Sequence, residues 1–218
     1  MAIPPLPDAA SAILLGALLG LRHATDADHV VAVTAIVARE GRLARAARVG
    51  ALWGLGHTLT LLTVGGAIVA FRLVIPPRLG LGLEFAVALM LILLGYSNLR
   101  ASDAAPSGGA AARPFLVGLV HGLAGSAAVA LLVLATIRGT LPALAYLLVF
   151  GLGTVAGMVA VTVLLAAPAL YAGRRIATLQ RGVRLAAGAL SIGFGLMLAR
   201  GLIVDGGLFS ATPTWQPH

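Results

Sequence analysis

The chain has 218 residues, of which 60% are hydrophobic and only 10% charged. Its mean hydropathy is +1.02, whereas a soluble domain carries about 25% charged residues, so the composition excludes a soluble core and fits one polytopic membrane domain over 1–218. The net charge of +8 comes from 15 basic residues, all arginine, and it marks loops that orient a membrane protein rather than a nucleic-acid surface. With no cysteine, disulfides, thiolate metal sites and thiol redox relays drop out.

Apolar runs of roughly 20 residues recur along the chain, the length needed to cross a bilayer as a helix. They predict six spans at 10–38, 47–71, 81–99, 114–137, 141–168 and 183–204. The N-terminus offers Asp8 but no basic region before the first run, and no small-residue cleavage site after it, so a removable signal peptide is not expected.

Span 1 contains Arg22-His23-Ala24-Thr25-Asp26-Ala27-Asp28-His29. Ionisable groups at bilayer depth cost at least ~2.5–3.5 kcal/mol each and mark function by default. Histidine with aspartate is a ligand set for divalent transition metals. As one straight helix this span would run about 45 Å against a hydrocarbon core of about 30 Å, so it must tilt, protrude or break. His23, Asp26 and His29 share one helical face, while Asp28 falls nearer the opposite side. Either the helix is irregular here, or Asp28 orients a histidine or pairs with Arg22.

Span 2 carries His57 in Leu55-Gly56-His57-Thr58, with Trp53 read as a helix-end aromatic. Span 3 opens with Glu84, read as an interfacial charge, and ends with Ser97 and Asn98, read the same way. Residues 101–113 form a joint with Pro106, Gly108 and Gly109 and read as a flexible linker. Span 4 carries His121 in His121-Gly122-Leu123-Ala124-Gly125-Ser126. His57 and His121 each fit either a metal ligand or a histidine hydrogen-bonded across helices. The tail, 205–218, is short and polar with Pro213 and Pro217 and reads as disordered. His218 at its end needs no role.

The two halves repeat, 10–100 against 114–204. Gly20-Leu21-Arg22-His23 matches Gly118-Leu119-Val120-His121, and Trp53-Gly54-Leu55-Gly56 matches Phe150-Gly151-Leu152-Gly153. Three spans per half is an odd number, so the second half must be inverted, an architecture recurrent among secondary transporters. The expected fold is therefore all-α, six transmembrane helices in two inverted three-helix repeats. Glycine pairs spaced four apart, such as Gly16 and Gly20 or Gly50 and Gly54, suit close helix packing. Ten arginines in joints 1–2, 3–4 and 5–6, against four on the other side, put both termini outside the cytoplasmic membrane.

The span 1 motif resembles the signature of the nickel/cobalt transporter family: a histidine, four residues, then Asp-His, here His23, Asp28 and His29, with Arg22 and Asp26 also in place. Leu55-Gly56-His57-Thr58 is similar to that family's second histidine motif. His121-Gly122-Leu123-Ala124-Gly125-Ser126 is similar to a segment of its UreH-like relatives. The resemblance implies transport of Ni²⁺ or Co²⁺ across the cytoplasmic membrane, with the span 1 His and Asp residues as essential ligands. The chain departs from the family pattern in placing the signature in the first of six spans, where eight spans with the signature in the second are common, and in lacking later Phe-Asp-Thr-type acidic motifs.

The reading that follows is a secondary transporter, not an enzyme. His23, Asp28 and His29 are core ligands, Asp26 and His57 come next, and His121 closes the site from the second half. Ni²⁺ or Co²⁺ is the transported substrate; no tightly bound cofactor and no nucleic-acid partner are expected. The partners are the metal ion and the lipid bilayer, with a homo-oligomer left open. No Walker A sequence is present, so this chain does not use ATP itself. Two other classes compete. One is an exporter of another small solute with the His/Asp cluster as a proton relay. The other is an intramembrane metal-dependent enzyme or metal-delivery factor, although no His-Glu-x-x-His arrangement occurs.

Overall fold

The computed structural model describes residues 9–38, 42–71, 73, 75–100, 112–122, 137, 139–173 and 177–215. The regular elements among the described residues are helices: α1 (Ala9–His23), α2 (Ala27–Val37), α3 (Leu43–Phe71), α4 (Pro77–Arg100), α5 (Ala112–His121), α6 (Thr140–Gly173) and α7 (Ala177–Val204). Four of these, α3, α4, α6 and α7, contain apolar stretches of 24 to 29 residues, long enough to cross a membrane. The chain is an all-helical polytopic membrane protein. The second half of predicted span 4, and 101–111 of the predicted linker, lie outside the described residues.

Span 1 is broken. It consists of α1, 15 residues, and α2, 11 residues, joined by a turn at residues 24–26. Asp26 takes an extended conformation, φ −62° and ψ 148°, at the N-cap of α2. Aspartate favours that position because its short polar side chain competes with the helical backbone. The turn is closed by backbone bonds from Thr25 N to Arg22 O (2.8 Å) and Asp26 N to His23 O (3.1 Å). The Thr25 hydroxyl donates to the same Arg22 carbonyl at 2.6 Å. A break here resolves both the excess length of span 1 and the direction in which Asp28 points.

The predicted glycine pairs are where the backbones meet. A Cβ on Gly20 of α1 would strike the Phe150 carbonyl and lie 2.8 Å from Thr154 N on α6, and Gly157 of α6 lies against Leu21 and Ala24. On the other flank, a Cβ on Gly118 of α5 would strike the Trp53 carbonyl on α3, and Gly122 sits against His57 O and Thr60. Gly50 and Gly54 bring α3 onto Met158 and Val155 of α6. Helices α4 and α7 pair through Gly95, Gly188 and Gly195, with Ser191 Oγ donating to Leu91 O at 2.7 Å.

Three sequence expectations change. Residues 205–215, read as a disordered tail, fold back along α4. Thr214 N donates to Gly206 O at 3.0 Å, Arg78 Nη2 to Ser210 O at 3.2 Å, and the indole of Trp215 lies where Gly80 leaves room for it. Glu84, read as interfacial, is buried and accepts from Trp215 Nε1 at 2.9 Å. Asn98, also read as interfacial, is buried. Its side-chain amide donates to Ala35 O of α2, and its backbone carbonyl accepts from Arg184 Nη1 at 2.8 Å. In each case the partner lies far away in sequence, which local polarity does not reveal.

Candidate metal centre

The break in span 1 places His23 at the end of α1 and Asp28 and His29 in the first turn of α2. His57 comes to them from the middle of α3, and His121 from the end of α5. All four histidines are buried, His29, His57 and His121 completely. The His29 ring is central: its centroid lies 4.5 Å from that of His23, 5.2 Å from His57 and 4.3 Å from His121. All six residues singled out from the sequence therefore meet in one cluster, with Asp26 at its edge.

Both aspartates act on histidines. An ionised carboxylate only accepts hydrogen bonds, so each ring nitrogen facing one carries the proton. His23 Nδ1 donates to Asp26 Oδ2 at 2.9 Å. Asp28 bridges two rings, accepting from His29 Nδ1 at 3.1 Å on Oδ1 and from His121 Nε2 at 3.0 Å on Oδ2. The His29 backbone N–H gives the carboxylate its third bond, 3.0 Å long and also to Oδ1. Arg22, which the sequence offered as a partner for the carboxylates, is exposed, and among the described residues the ion pairs of Asp26 and Asp28 are with histidines. Asp28 turns inward because the kink reorients α2.

The tautomers so fixed leave bare acceptors. With Nδ1 protonated, His23 Nε2 is an acceptor, and His57 Nε2 donates to it at 3.0 Å. That leaves His57 Nδ1, His29 Nε2 and His121 Nδ1, and all three are buried without a hydrogen-bond partner among the described residues. Unpaired buried polar atoms are costly and rare. Buried imidazoles with unpaired nitrogens, packed beside the Asp28 carboxylate, form a donor set whose chemistry fits a divalent transition metal. The 3.0 Å between His23 Nε2 and His57 Nε2 also matches two nitrogens bound at about 2.1 Å to one ion at right angles, an arrangement in which His57 carries its proton on Nδ1 instead of Nε2. Among the described residues, two sets of donors lie close enough to hold an ion: His23, His29 and His57, and Asp28, His29 and His121, the donor atoms of each set within 4.8 Å of one another. Asp26 belongs to neither and acts through His23.

The walls of the cluster are aromatic. Trp53, expected at a helix end, is completely buried. Its ring lies 5.5 Å from both His29 and His121. Phe150 of α6 lies 5.5 Å from His23. Both residues were missed as site elements. Trp53 stands four residues before His57, on the same helical face, and that spacing was the available signal.

Fold and site together define an all-helical integral membrane protein built around a buried histidine–carboxylate cluster. Over 220 residues the chain is 34% identical to the urease accessory protein UreH of Bacillus sp. (strain TB-90), covering 93% of this chain and 96% of the relative. The chain therefore belongs to the nickel/cobalt transporter family, in its UreH-like branch, a family of membrane transporters and not of enzymes. No family model matches it, and no solved structure does.

Proposed function

We propose that this protein carries Ni²⁺ or Co²⁺ across the cytoplasmic membrane by a secondary, ATP-independent mechanism. The observation that carries the reading is a buried cluster of four histidines with Asp28 whose donor atoms fall into two sets close enough to hold an ion, with His29 Nε2, His57 Nδ1 and His121 Nδ1 lacking a hydrogen-bond partner among the described residues. His23, Asp28 and His29 are the core ligands. His57 and His121 complete the shell, and Asp26 fixes the tautomer of His23, a support that metal-bound histidines commonly receive. The two carboxylates offset the charge of a dication in the membrane. The relative's designation as accessory to urease fits a role in supplying metal to such an enzyme.

The architecture proposed around this site is six spans in two inverted three-helix repeats, 10–100 and 114–204, joined by the linker 101–113, with both termini outside. The packing supports it. Gly20 of α1 rests on α6, while its repeat counterpart Gly118 of α5 rests on α3. Helices α3 and α6 are themselves counterparts, so the two contacts exchange under a two-fold rotation. Rocking of the halves about the cluster supplies alternating access.

The test is calorimetric titration of Ni²⁺, Co²⁺ and Zn²⁺ into the purified protein, beside His23→Ala and Asp28→Ala. Saturable Ni²⁺ or Co²⁺ binding, lost in both variants, and metal flux in proteoliposomes are expected. Absence of saturable binding by folded wild-type protein would overturn the reading and leave the cluster as a proton relay or a structural network.

A further inference from the structure

The geometry points to His29 as a pivot shared by two overlapping metal positions, one formed with His23 and His57 and the other with Asp28 and His121, between which the ion passes during transport. The inference rests on the proposed metal transport and adds a path to it. The two donor sets are distinct in composition and share only His29. The first consists of three imidazoles and is uncharged when they are neutral. The second replaces one imidazole with a carboxylate, and an ion there takes the place of the protons that His29 Nδ1 and His121 Nε2 donate to Asp28.

They also differ in which helices supply them. His23 and His57 come from α1 and α3, both before the joint at 101–113. His121 comes from α5, after it. An ion moving from the first set to the second leaves ligands of the first half alone and gains one from the other half.

His29 is placed to offer a ring nitrogen to both positions. Its ring lies between those of His23 and His121, 4.5 Å from one and 4.3 Å from the other, whereas the His57 and His121 centroids are 6.0 Å apart. Asp28 holds its Nδ1 edge, and Nε2 remains bare. Affinity order alone holds a metal too tightly to release it, and conduction needs sites favourable enough to enter yet weak enough to leave. A three-ligand position that exchanges two ligands for two others around a fixed third keeps the ion coordinated without one deep well.

The experiment compares full-length wild type, His57→Ala, His121→Ala and His29→Ala in detergent and in proteoliposomes, using Co²⁺ alone as the probe. Binding is read by titration and coordination by the visible d–d absorption, which reports ligand type and geometry. His57→Ala and His121→Ala should each keep saturable binding, weakened by about 10–100-fold, with absorption spectra that differ from each other. Both should lose flux, and His29→Ala should lose binding. His57→Asn and His121→Gln, with helicity checked by circular dichroism, guard against a variant that fails to fold. Loss of all binding in folded His57 or His121 variants would mean one joint site and would overturn the pivot, as would identical spectra in the two. Absence of binding by wild type would overturn the metal reading itself, and the pivot with it.

Discussion

Asp28 serves two histidines, and Asp26 serves one, so equal chemical substitutions at the two positions should have unequal effects. An asparagine in place of Asp28 keeps the size but presents an amide donor to a ring N–H that already donates. One of the bonds to His29 Nδ1 or His121 Nε2 must break, or a ring must change tautomer and lose its bare nitrogen. Asp28→Asn should therefore abolish measurable Ni²⁺ binding. Asp26→Asn frees only His23 and should weaken binding by about 10–100-fold, the usual effect of removing an outer partner of a ligand. Titration of both variants checks this; equal losses would place Asp26 among the ligands. Protons compete with the ion for the same lone pairs. Equilibrium Ni²⁺ binding to purified protein should thus weaken monotonically as the pH is lowered, and binding strengthened by acid would contradict imidazole ligation. At this scale the cluster was legible because ionisable groups stand out in an apolar chain. The partner of Asp28 was not, because the choice between Arg22 and two histidines depends on the direction of α2 after the break. Trp53 was misread because a tryptophan near a helix end is ordinary in membrane proteins and only the third dimension sets it against His29.

The helices themselves were legible from apolar run length, and their contacts from glycine spacing, but the contact strength of each glycine was not. Gly20 and Gly118 face backbone atoms of the neighbouring helix with no room for a Cβ, whereas Gly82 of α4 has nothing within 4 Å of that position. Gly20→Ala and Gly118→Ala must push α1 off α6 and α5 off α3, and each should cost about 1–3 kcal/mol, the usual penalty of overpacking. Gly82→Ala should be neutral or slightly stabilising, since alanine is the better helix former. Thermal unfolding in detergent compares the three, and a comparable loss at Gly82 would mean the glycines act through the backbone rather than through packing. The two shifted helices also carry His23 and His121 at their ends, so the first two variants should weaken metal binding as well. Two element-scale features escaped the sequence. Hydropathy averages over the break at Thr25 and Asp26 because both flanks are apolar. The folding back of residues 205–215 depends on Trp215 finding Glu84 across more than a hundred residues, a long-range pairing with no local signature.

For the whole molecule, the six-span inverted arrangement rests on the distribution of arginine and on the exchange of contacts between α1–α6 and α5–α3, and it makes a parity statement that can be read directly. If the broken span formed by α1 and α2 crosses once, and span 4 likewise, alternate joints must lie on opposite sides of the membrane. The chain contains no cysteine, so single cysteines report without background. Phe71 at the end of α3, Leu141 at the start of α6 and Phe209 beyond α7 are exposed. On the proposed topology they face outward. Leu43 at the start of α3, Arg100 at the end of α4 and Tyr171 near the end of α6 are also exposed and face the cytoplasm. In intact cells a membrane-impermeant thiol reagent should label Phe71→Cys, Leu141→Cys and Phe209→Cys. Leu43→Cys, Arg100→Cys and Tyr171→Cys should be labelled only after permeabilisation. Labelling of Leu43→Cys and Phe71→Cys from the same side would remove α3 as a span. Reversal of all six would keep the inverted repeat and overturn only the orientation, which depends on the arginine bias alone. Phe71→Cys and Leu141→Cys on opposite sides would break the symmetry between the halves. The second half would then not be the inverted copy of the first, and His121 would approach the cluster by a path unrelated to that of His23.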